Sequence, residues 1–358
     1  RLDHLVPPEN IFNEDYAYFS SCSKFWLDHS KKFCEMITQR LFLSKDSLVL
    51  ELASNDGYLL KNFVNTNIPC VGMEPSESVA NVAIEHGIDT VIDFLGQQSA
   101  RSFISERGLA DLIVANNVLA HVPDIHDFVA GLKIALSKTG TITIEFPHLY
   151  NLLKFNQFDT IYHEHYSYLS MIALEKLFQE YSLCIYDVEE IATHGGSLRV
   201  YATHQNRVGV DLERSEEVLK LRNKEIEFGL NKLKTYEDFS ERVANIRITS
   251  RNCIQKLKDD NKKIFAYGAA AKGTIFLNYC NIGSDMIDFI VDINPHKQDK
   301  LMPGVKIPII APELIQEHKP DYILILPWNI KEEIMNQLAG IREWGGRFII
   351  AIPEFKIF

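Results

Sequence analysis

At 358 residues the chain is too long for one ordinary domain, and two or three are expected. A composition of 46% hydrophobic and 24% charged residues is that of a globular protein, and a net charge of −11 with a pI near 5.6 argues against a general binder of nucleic acid or anionic membrane. Six cysteines lie scattered without a C-x-x-C pair, and no apolar run is long enough to span a bilayer. A reduced, cytoplasmic setting is therefore expected rather than a disulfide framework or a membrane protein.

Residues 1–22 read as an irregular lead-in, after which Trp26, Phe33, Ile37 and Leu41 recur near helical spacing from Ser23 onward. Strands and helices then alternate. SLVLELA (47–53) precedes a helix from about Tyr58, CVGME (70–74) precedes a helix opened by Pro75-Ser76, and a short strand follows near 90–94. DLIVAN (111–116) leads to a helix from near Asp124 to Lys138-Thr139-Gly140, and TITIEF (141–146) stops at Pro147. The alternation predicts a parallel, doubly wound α/β sheet. A helix is predicted from Ser170 to Tyr181, then strands LCIYDVEEIA and SLRVYATH joined by His194-Gly195-Gly196. The charged, proline-free stretch 212–260 reads as one or two long helices bridging two halves. A second β-α series runs through KIFAYG (263–268), MIDFIVD (286–292), DYILIL (321–326) and RFIIAI (347–352), with turns at Pro303-Gly304 and Pro308.

The chemically densest stretch is Phe158 to Ser170, FDTIYHEHYSYLS. Tyr162, His163, Glu164 and His165 place a phenol, two imidazoles and a carboxylate in four consecutive positions among aromatic and β-branched neighbours. An imidazole titrates near neutrality, and an adjacent carboxylate supports its charged form, which suits a general base. In an extended segment Tyr162, Glu164 and Tyr166 would share one face, with His163 and His165 on the other. A polar loop whose histidines only satisfy backbone groups is the plain alternative. Zinc is a weaker reading, because H-E-H lacks the i, i+4 spacing of H-E-x-x-H.

The turn after the first strand reads Glu51-Leu52-Ala53-Ser54-Asn55-Asp56-Gly57. Its small residues allow close approach of a ligand, but Ala53 and Asn55 stand where a dinucleotide loop has glycine, and Glu51 would repel a pyrophosphate. Glu51 would instead attract a cation or an ammonium group such as that of S-adenosylmethionine. Glu74, at the end of the second strand, lies where an acid takes ribose hydroxyls. Asn116-Asn117 end the fourth strand, with His121 just beyond. Asp93-Phe94 would meet an adenine. In this order these features resemble the class I S-adenosylmethionine-dependent methyltransferases.

Over nearly its whole length the chain looks like the sugar C-methyltransferases that act on nucleotide-linked 4-keto-deoxysugars. The blocks that carry the resemblance are DYAYFSS (15–21), ELASNDGYLLKNF (51–63), EFPHLYNLL (145–153), FDTIYHEHYSYLS, HGGSLRVY (194–201), AYGAAAKG (266–273), VDINPHKQ (291–298) and LPWN (326–329). The resemblance implies methyl transfer to a carbon beside a ketone, commonly C3. It puts His165 at the base, with Tyr162 and Glu164 as active-site neighbours; the residues themselves leave His163 as a competing base. It implies a lead-in and helix over 1–45 and a methyltransferase domain binding S-adenosyl-L-methionine over 46–150. The active-site loop, strands and bridging helices would fill 151–260, and a second Rossmann-like domain, contributing to nucleotide-sugar binding, 261–358. Such proteins usually begin with a small cysteine-rich zinc-binding domain. No such cysteine cluster stands here, which fits a truncated or divergent start, and no metal is expected in this chain.

Gly268-Ala269-Ala270-Ala271-Lys272-Gly273-Thr274 has P-loop spacing, but Lys272 precedes the second glycine, so ATP hydrolysis is not expected. Lys272 at a helix N-terminus would still suit a diphosphate, unless the glycine loop is only a tight turn. Asp292 ends the next strand like a ribose acid. His194, Ser197 and Arg199 are further sugar or phosphate candidates, and the resemblance folds Tyr16 and Tyr18 over the site. The expected partner is a nucleotide-linked ketosugar, with no nucleic acid and no membrane, the protein being a monomer or weak dimer. The rival readings are a nucleotide-sugar oxidoreductase or epimerase using a nicotinamide cofactor, an O- or N-methyltransferase on a sugar, and a non-catalytic sugar-nucleotide binder.

Overall fold

The computed structural model describes residues 2, 5–7, 11, 20–22 and 24–358. Tyr16 and Tyr18 lie outside the described residues. The chain divides into two compact units, residues 1–148 with 163–227, and residues 149–162 with 228–358.

In the first unit, helix α1 (Lys24–Leu41) precedes β1 (Val49–Leu52), α2 (Lys61–Val64), β2 (Cys70–Met73), α3 (Glu77–Glu85), β3 (Thr90–Val91), α4 (Gln97–Arg107), β4 (Ala110–Asn116), α5 (Ile125–Ala135) and β5 (Leu136–Pro147). The strands form a sheet in the order β3-β2-β1-β4-β5, all parallel. β1 is buried at every position, as a strand covered on both faces must be. Its alternate residues feed two cores. Leu50 and Leu52 pack with Phe103, Phe128 and Leu132 from α4 and α5, and Val49 with Phe33 and Ile37 of α1 and Phe63 of α2. Glu51 falls between Leu50 and Leu52 in this strand, level with Gly72 and Val114.

Helix α6 (Leu149–Lys154) opens the excursion into the second unit, and the first unit resumes before α7 (Met171–Glu180). α7 starts and stops where the sequence places it, because the Ser170 hydroxyl accepts from the amide of Ala173 and caps the first turn. Strands β6 (Leu183–Ile191) and β7 (Ser197–His204) follow, then α8 (Glu216–Phe228). They correct the expected middle region at 151–260. β7 pairs antiparallel with β5 on one side and β6 on the other, so the first sheet runs β3-β2-β1-β4-β5-β7-β6. The reason is packing: Ile185, Val188, Leu198 and Val200 belong to the same core as Leu50 and Leu52. Two further boundaries shift. The helix expected to reach Gly140 ends at Ala135, since Leu136 already pairs with Ala110. The helix expected from Tyr58 contracts to Lys61–Val64.

The second unit holds the long α9 (Leu233–Asp259), then β8 (Ile264–Tyr267), α10 (Ala271–Cys280), β9 (Phe289–Val291), β10 (Ile309–Ile310), α11 (Leu314–His318), β11 (Tyr322–Ile325), α12 (Lys331–Gln337), β12 (Arg347–Ile350) and β13 (Lys356–Ile357). The sheet order is β10-β9-β8-β11-β12-β13, parallel apart from β13, so this half is also Rossmann-like. Ile264, Ala266, Leu324 and Ile349 face Val243, Ile246 and Ile254 of α9 and Phe276 of α10. Phe265, Ile323 and Phe348 form the opposite layer. Phe158 from the excursion packs into the first of these cores, against Phe276 and Tyr279. Among the described residues no helix is long and apolar enough to cross a membrane.

Candidate active site

The carboxyl ends of β1, β2 and β4 carry the first cluster. In the loop after β1 the non-glycine residues Ala53 and Asn55 adopt left-handed backbone angles, as does Asn117 after β4. A non-glycine residue in that region is uncommon, and such residues gather at ligand sites. Glu74 secures the loop: one carboxylate oxygen accepts from the amide of Asn55 and the other from the amide of Ser76, each at 2.9 Å. Burial pushes the Glu74 carboxyl up, while those two amides pull the other way. Glu51 is 1% exposed, and burial, then the charges of Glu74 and Asp56, hold its carboxyl well above the usual range.

Among the described residues, five buried side-chain oxygens around these strand ends find no hydrogen-bond partner: Glu51 Oε2, Ser54 Oγ, Asp56 Oδ1, Asn116 Oδ1 and Asn117 Oδ1. Buried acceptors left unmade cost about 1–3 kcal/mol each, so the cluster calls for donors and, beside Glu51 and Asp56, for positive charge. S-adenosylmethionine offers an ammonium, a sulfonium, ribose hydroxyls and an adenine amine, and the residues fit it. Glu51, Ser54, Asn55, Glu74 and Asn116-Asn117 stand at or just beyond the ends of neighbouring strands. Asp93 and Phe94 lie just beyond β3 and are exposed, the Asp93 carboxylate accepting from the Phe94 amide.

Next to these ends a short turn of 3-10 helix, Leu119–His121, brings His121 against the segment that holds His165. The rings of His121 and His165 meet edge to face with centroids 4.9 Å apart, and the Ser167 amide donates to the Ala120 carbonyl. Burial, then the neighbouring His165, pushes the His121 imidazole down to about 3. Its surroundings thus favour the neutral imidazole. His165 is half-buried and His163 exposed. The strict alternation expected of this segment is not observed: residues 162–164 form a bend and turn, which removes the period-2 rule before His165. Burial raises the Glu164 carboxyl. Tyr166 is fully buried and donates its hydroxyl to the Val6 carbonyl. Tyr162 belongs to the second unit.

The HGGS-x-R block splits. His194 sits in a left-handed turn with its ring 5.1 Å from that of Trp26 on α1, close enough to lower His121 further. Ser197 closes its own turn by donating to the Thr193 carbonyl at 2.9 Å and is 1% exposed. Arg199 is spent inside the fold. Its Nε donates to Glu145 at 2.7 Å and its Nη1 to Glu189 at 2.9 Å, while His29 of α1 reaches Glu145 at 3.0 Å. The buried Glu145 carboxyl is held below its ordinary value by the His29 bond and the Arg199 charge, against the push of burial. Ser197 and Arg199 thus serve the scaffold rather than a sugar or phosphate. Among the described residues no group of three or more His, Cys, Asp or Glu is arranged to hold a metal ion.

In the second unit, Gly268 takes φ +93°, and a Cβ there would strike the Pro327 ring at 2.6 Å. The loop is secured as its counterpart is: Asp292 accepts from the amides of Ala269 and Asn294, each at 2.8 Å. Lys272 lies 4.6 Å over the Trp328 ring and donates to Asn329 Oδ1 at 3.2 Å. Trp328 in turn donates to Asp159 Oδ2 at 2.7 Å, while Asp159 Oδ1 is buried with no partner among the described residues. Burial lowers Lys272 and raises Asp159 to about 6. Sequence reasoning kept Lys272 but passed over Asp159, Trp328, His29 and Glu145. Trp328 and Asp159 stood inside the quoted LPWN and FDTIYHEH blocks, but only the fold pairs them.

A family profile described as a methyltransferase domain matches residues 26–187, and one described as a C-methyltransferase C-terminal domain matches residues 192–353. The chain is 35% identical over 356 residues to the C-methyltransferase NovU of Streptomyces niveus, an alignment that covers 99% of this chain and 84% of that protein. Among solved structures, the S-adenosylmethionine-dependent methyltransferase of Anabaena variabilis ATCC 29413 is 17% identical with a TM-score of 0.40, covering 48% of this chain and 83% of its own. The PH0226 protein of Pyrococcus horikoshii OT3 is 13% identical with a TM-score of 0.40, covering 52% of this chain and 94% of its own. Neither structure is near enough to argue from. The relative at 35% identity, the matched profiles, the strand order of the first sheet and the donor-seeking cluster at its edge agree. The chain belongs to the S-adenosylmethionine-dependent C-methyltransferases.

Proposed function

We propose that the methyl acceptor is a carbon, C3 by family resemblance, beside the ketone of a nucleotide-linked 4-keto-deoxysugar, and that His165 is the general base. The observation that carries this reading is the contact of a half-buried His165 with the charge-resistant His121, next to the acceptors at the end of β4. Forming a C–C bond needs a carbon nucleophile, and a C–H becomes acidic enough only when a carbonyl takes the electrons. His165 removes that proton at a ring nitrogen, and a donor supports the oxyanion, Tyr162 and His194 being the candidates. Bound S-adenosylmethionine supplies an electrophilic methyl group whose sulfur leaves as a neutral thioether. Oxygen and nitrogen acceptors already carry a lone pair and would not need so dense a set of acid–base groups.

His163 is the competing base, and its exposure favours His165. In the second unit Lys272, over the Trp328 ring at the start of α10, suits a diphosphate. The test is methyl transfer to a panel of 4-keto nucleotide sugars, with the new C–C bond located by NMR. His165→Ala is expected to lower kcat by about 10²–10⁴-fold while leaving S-adenosylhomocysteine binding in place. Methyl transfer to oxygen, or near-wild-type turnover by this variant, would refute the reading.

A further inference from the structure

Glu225, on α8, is fully buried and belongs to no site described so far. Its carboxylate reaches both ends of one long excursion of the chain. Oε1 accepts from His148 Nε2 at 2.7 Å and from the Met171 amide at 2.7 Å, and Oε2 accepts from the Ile172 amide at 2.9 Å. His148 is the last residue of the first unit before the chain departs, and Met171 and Ile172 open α7 after it returns. The stem is closed by backbone as well: His148 bridges Leu169, and its amide donates to the Gly196 carbonyl. On the return side the chain runs from this closure directly back through His165, Glu164 and His163, while residues 149–162 are held in the core of the second unit.

The chemistry suits a fixed clamp. The first amides of a helix have no partners of their own, and negative charge is favoured there. Glu225 satisfies two of them, and Ser170 takes the third through Ala173. An ionised carboxylate accepts only, so His148 presents Nε2–H to it. The carboxylate thus accepts three charge-assisted bonds from the fold itself.

We infer that Glu225, with His148, is a positioning residue that sets the placement of the His165 segment by buckling both ends of the excursion that carries it. The inference rests on the reading of that segment as catalytic. His165 lies four residues before Leu169, so slack in the stem passes to the imidazole within a few bonds. A misplacement of about 1 Å costs about 10²-fold in rate. The cofactor-facing groups stand on β1, β2 and β4, whose hydrogen bonds do not involve Glu225.

The test compares Glu225→Gln, His148→Leu, His148→Gln and His165→Ala in the full chain. A glutamine at 225 has one acceptor oxygen and an amide that opposes an α7 N–H. It is expected to lower kcat by about 10- to 100-fold, to leave the S-adenosylhomocysteine dissociation constant within about twofold, and to speed amide exchange across residues 163–172 but not 49–57. His148→Leu is expected to act alike, and His148→Gln, which keeps a donor in the place of Nε2, to recover most of the loss. If Glu225→Gln does not fold, the two His148 variants carry the comparison alone. Wild-type kcat in His148→Leu, equal loss in the two His148 variants, or loss of cofactor affinity in step with kcat would overturn the inference. Full turnover by His165→Ala would instead sink the catalytic reading, which separates the two failures.

Discussion

Glu51 is the residue whose situation makes least sense without a ligand. It is 1% exposed, one of its oxygens has no partner among the described residues, and Glu74 and Asp56 add like charge to the cost of burial. Its folded pKa therefore stands above the ordinary 4.5, and the sign of the consequence is fixed. A raised carboxyl contributes its stability below the unfolded value and loses it as pH rises toward the folded one. At neutral pH the free protein carries this burden, and a bound cation relieves it. Glu51→Gln is thus expected to leave the melting temperature of the free protein at pH 7 equal or higher, while weakening S-adenosylmethionine binding by more than about tenfold, roughly 1.4 kcal/mol. Calorimetry of melting and of binding reads the two effects separately. Unchanged affinity would remove Glu51 from the cofactor site.

At the scale of elements, β5, β7 and β6 are joined by charge as well as by their ladder. Glu145, Arg199 and Glu189 lie level across the three strands, and Tyr201 donates to Glu189 at 2.7 Å. His29 ties α1 to this row, and Arg40 ties the same helix to Asp187, two residues earlier on β6. Arg199→Ala would leave Glu145 buried without its guanidinium. The expected cost is about 3–5 kcal/mol of unfolding free energy, with the acceptor KM little changed. A phosphate-binding arginine would show the reverse, a raised KM with stability intact, so urea unfolding beside steady-state kinetics decides. The same row shows what the sequence could and could not reveal. Strands such as β1, β4, β8 and β11 were legible because they are buried at most or all positions, and α7 because Ser170 is a good cap. The place of residues 183–204 in the first sheet was not, since it depends on pairing with β5, some fifty residues back. Nor was the fate of Arg199, which only that register brings opposite Glu145. β10 and β13, two residues each, are too short to leave a periodic trace. The acid–base composition of the 162–165 segment was legible, but its turn was not, and with it went the expected sharing of faces.

Across the whole molecule, the chain leaves the first unit after His148, returns at His163 and departs again at Phe228. The second unit is therefore discontinuous, and residues 149–162 are part of its core rather than a surface loop. Phe158 packs among Phe276 and Tyr279, Arg242 of α9 donates to the Leu153 carbonyl and to Asn156, and Asp159 receives the Trp328 indole. Asp159 gives this arrangement a pH signature. Burial raises it from 3.8 to about 6, opposed by the charge of Lys272 and the Trp328 bond. With the folded value above the unfolded one, its contribution is complete below about pH 4 and is lost as pH rises through about 6. A shift of that size corresponds to about 3 kcal/mol. Asp159→Asn keeps an oxygen for the indole and cannot ionise. The unfolding free energy of the variant minus that of the wild type is thus expected to grow by about 3 kcal/mol between pH 4 and pH 7. Urea titrations across that range, followed by Trp328 fluorescence after the other two tryptophans are replaced, measure the difference directly. A difference that stays flat with pH would mean that Asp159 ionises as it does in water and that the second unit does not hold it buried.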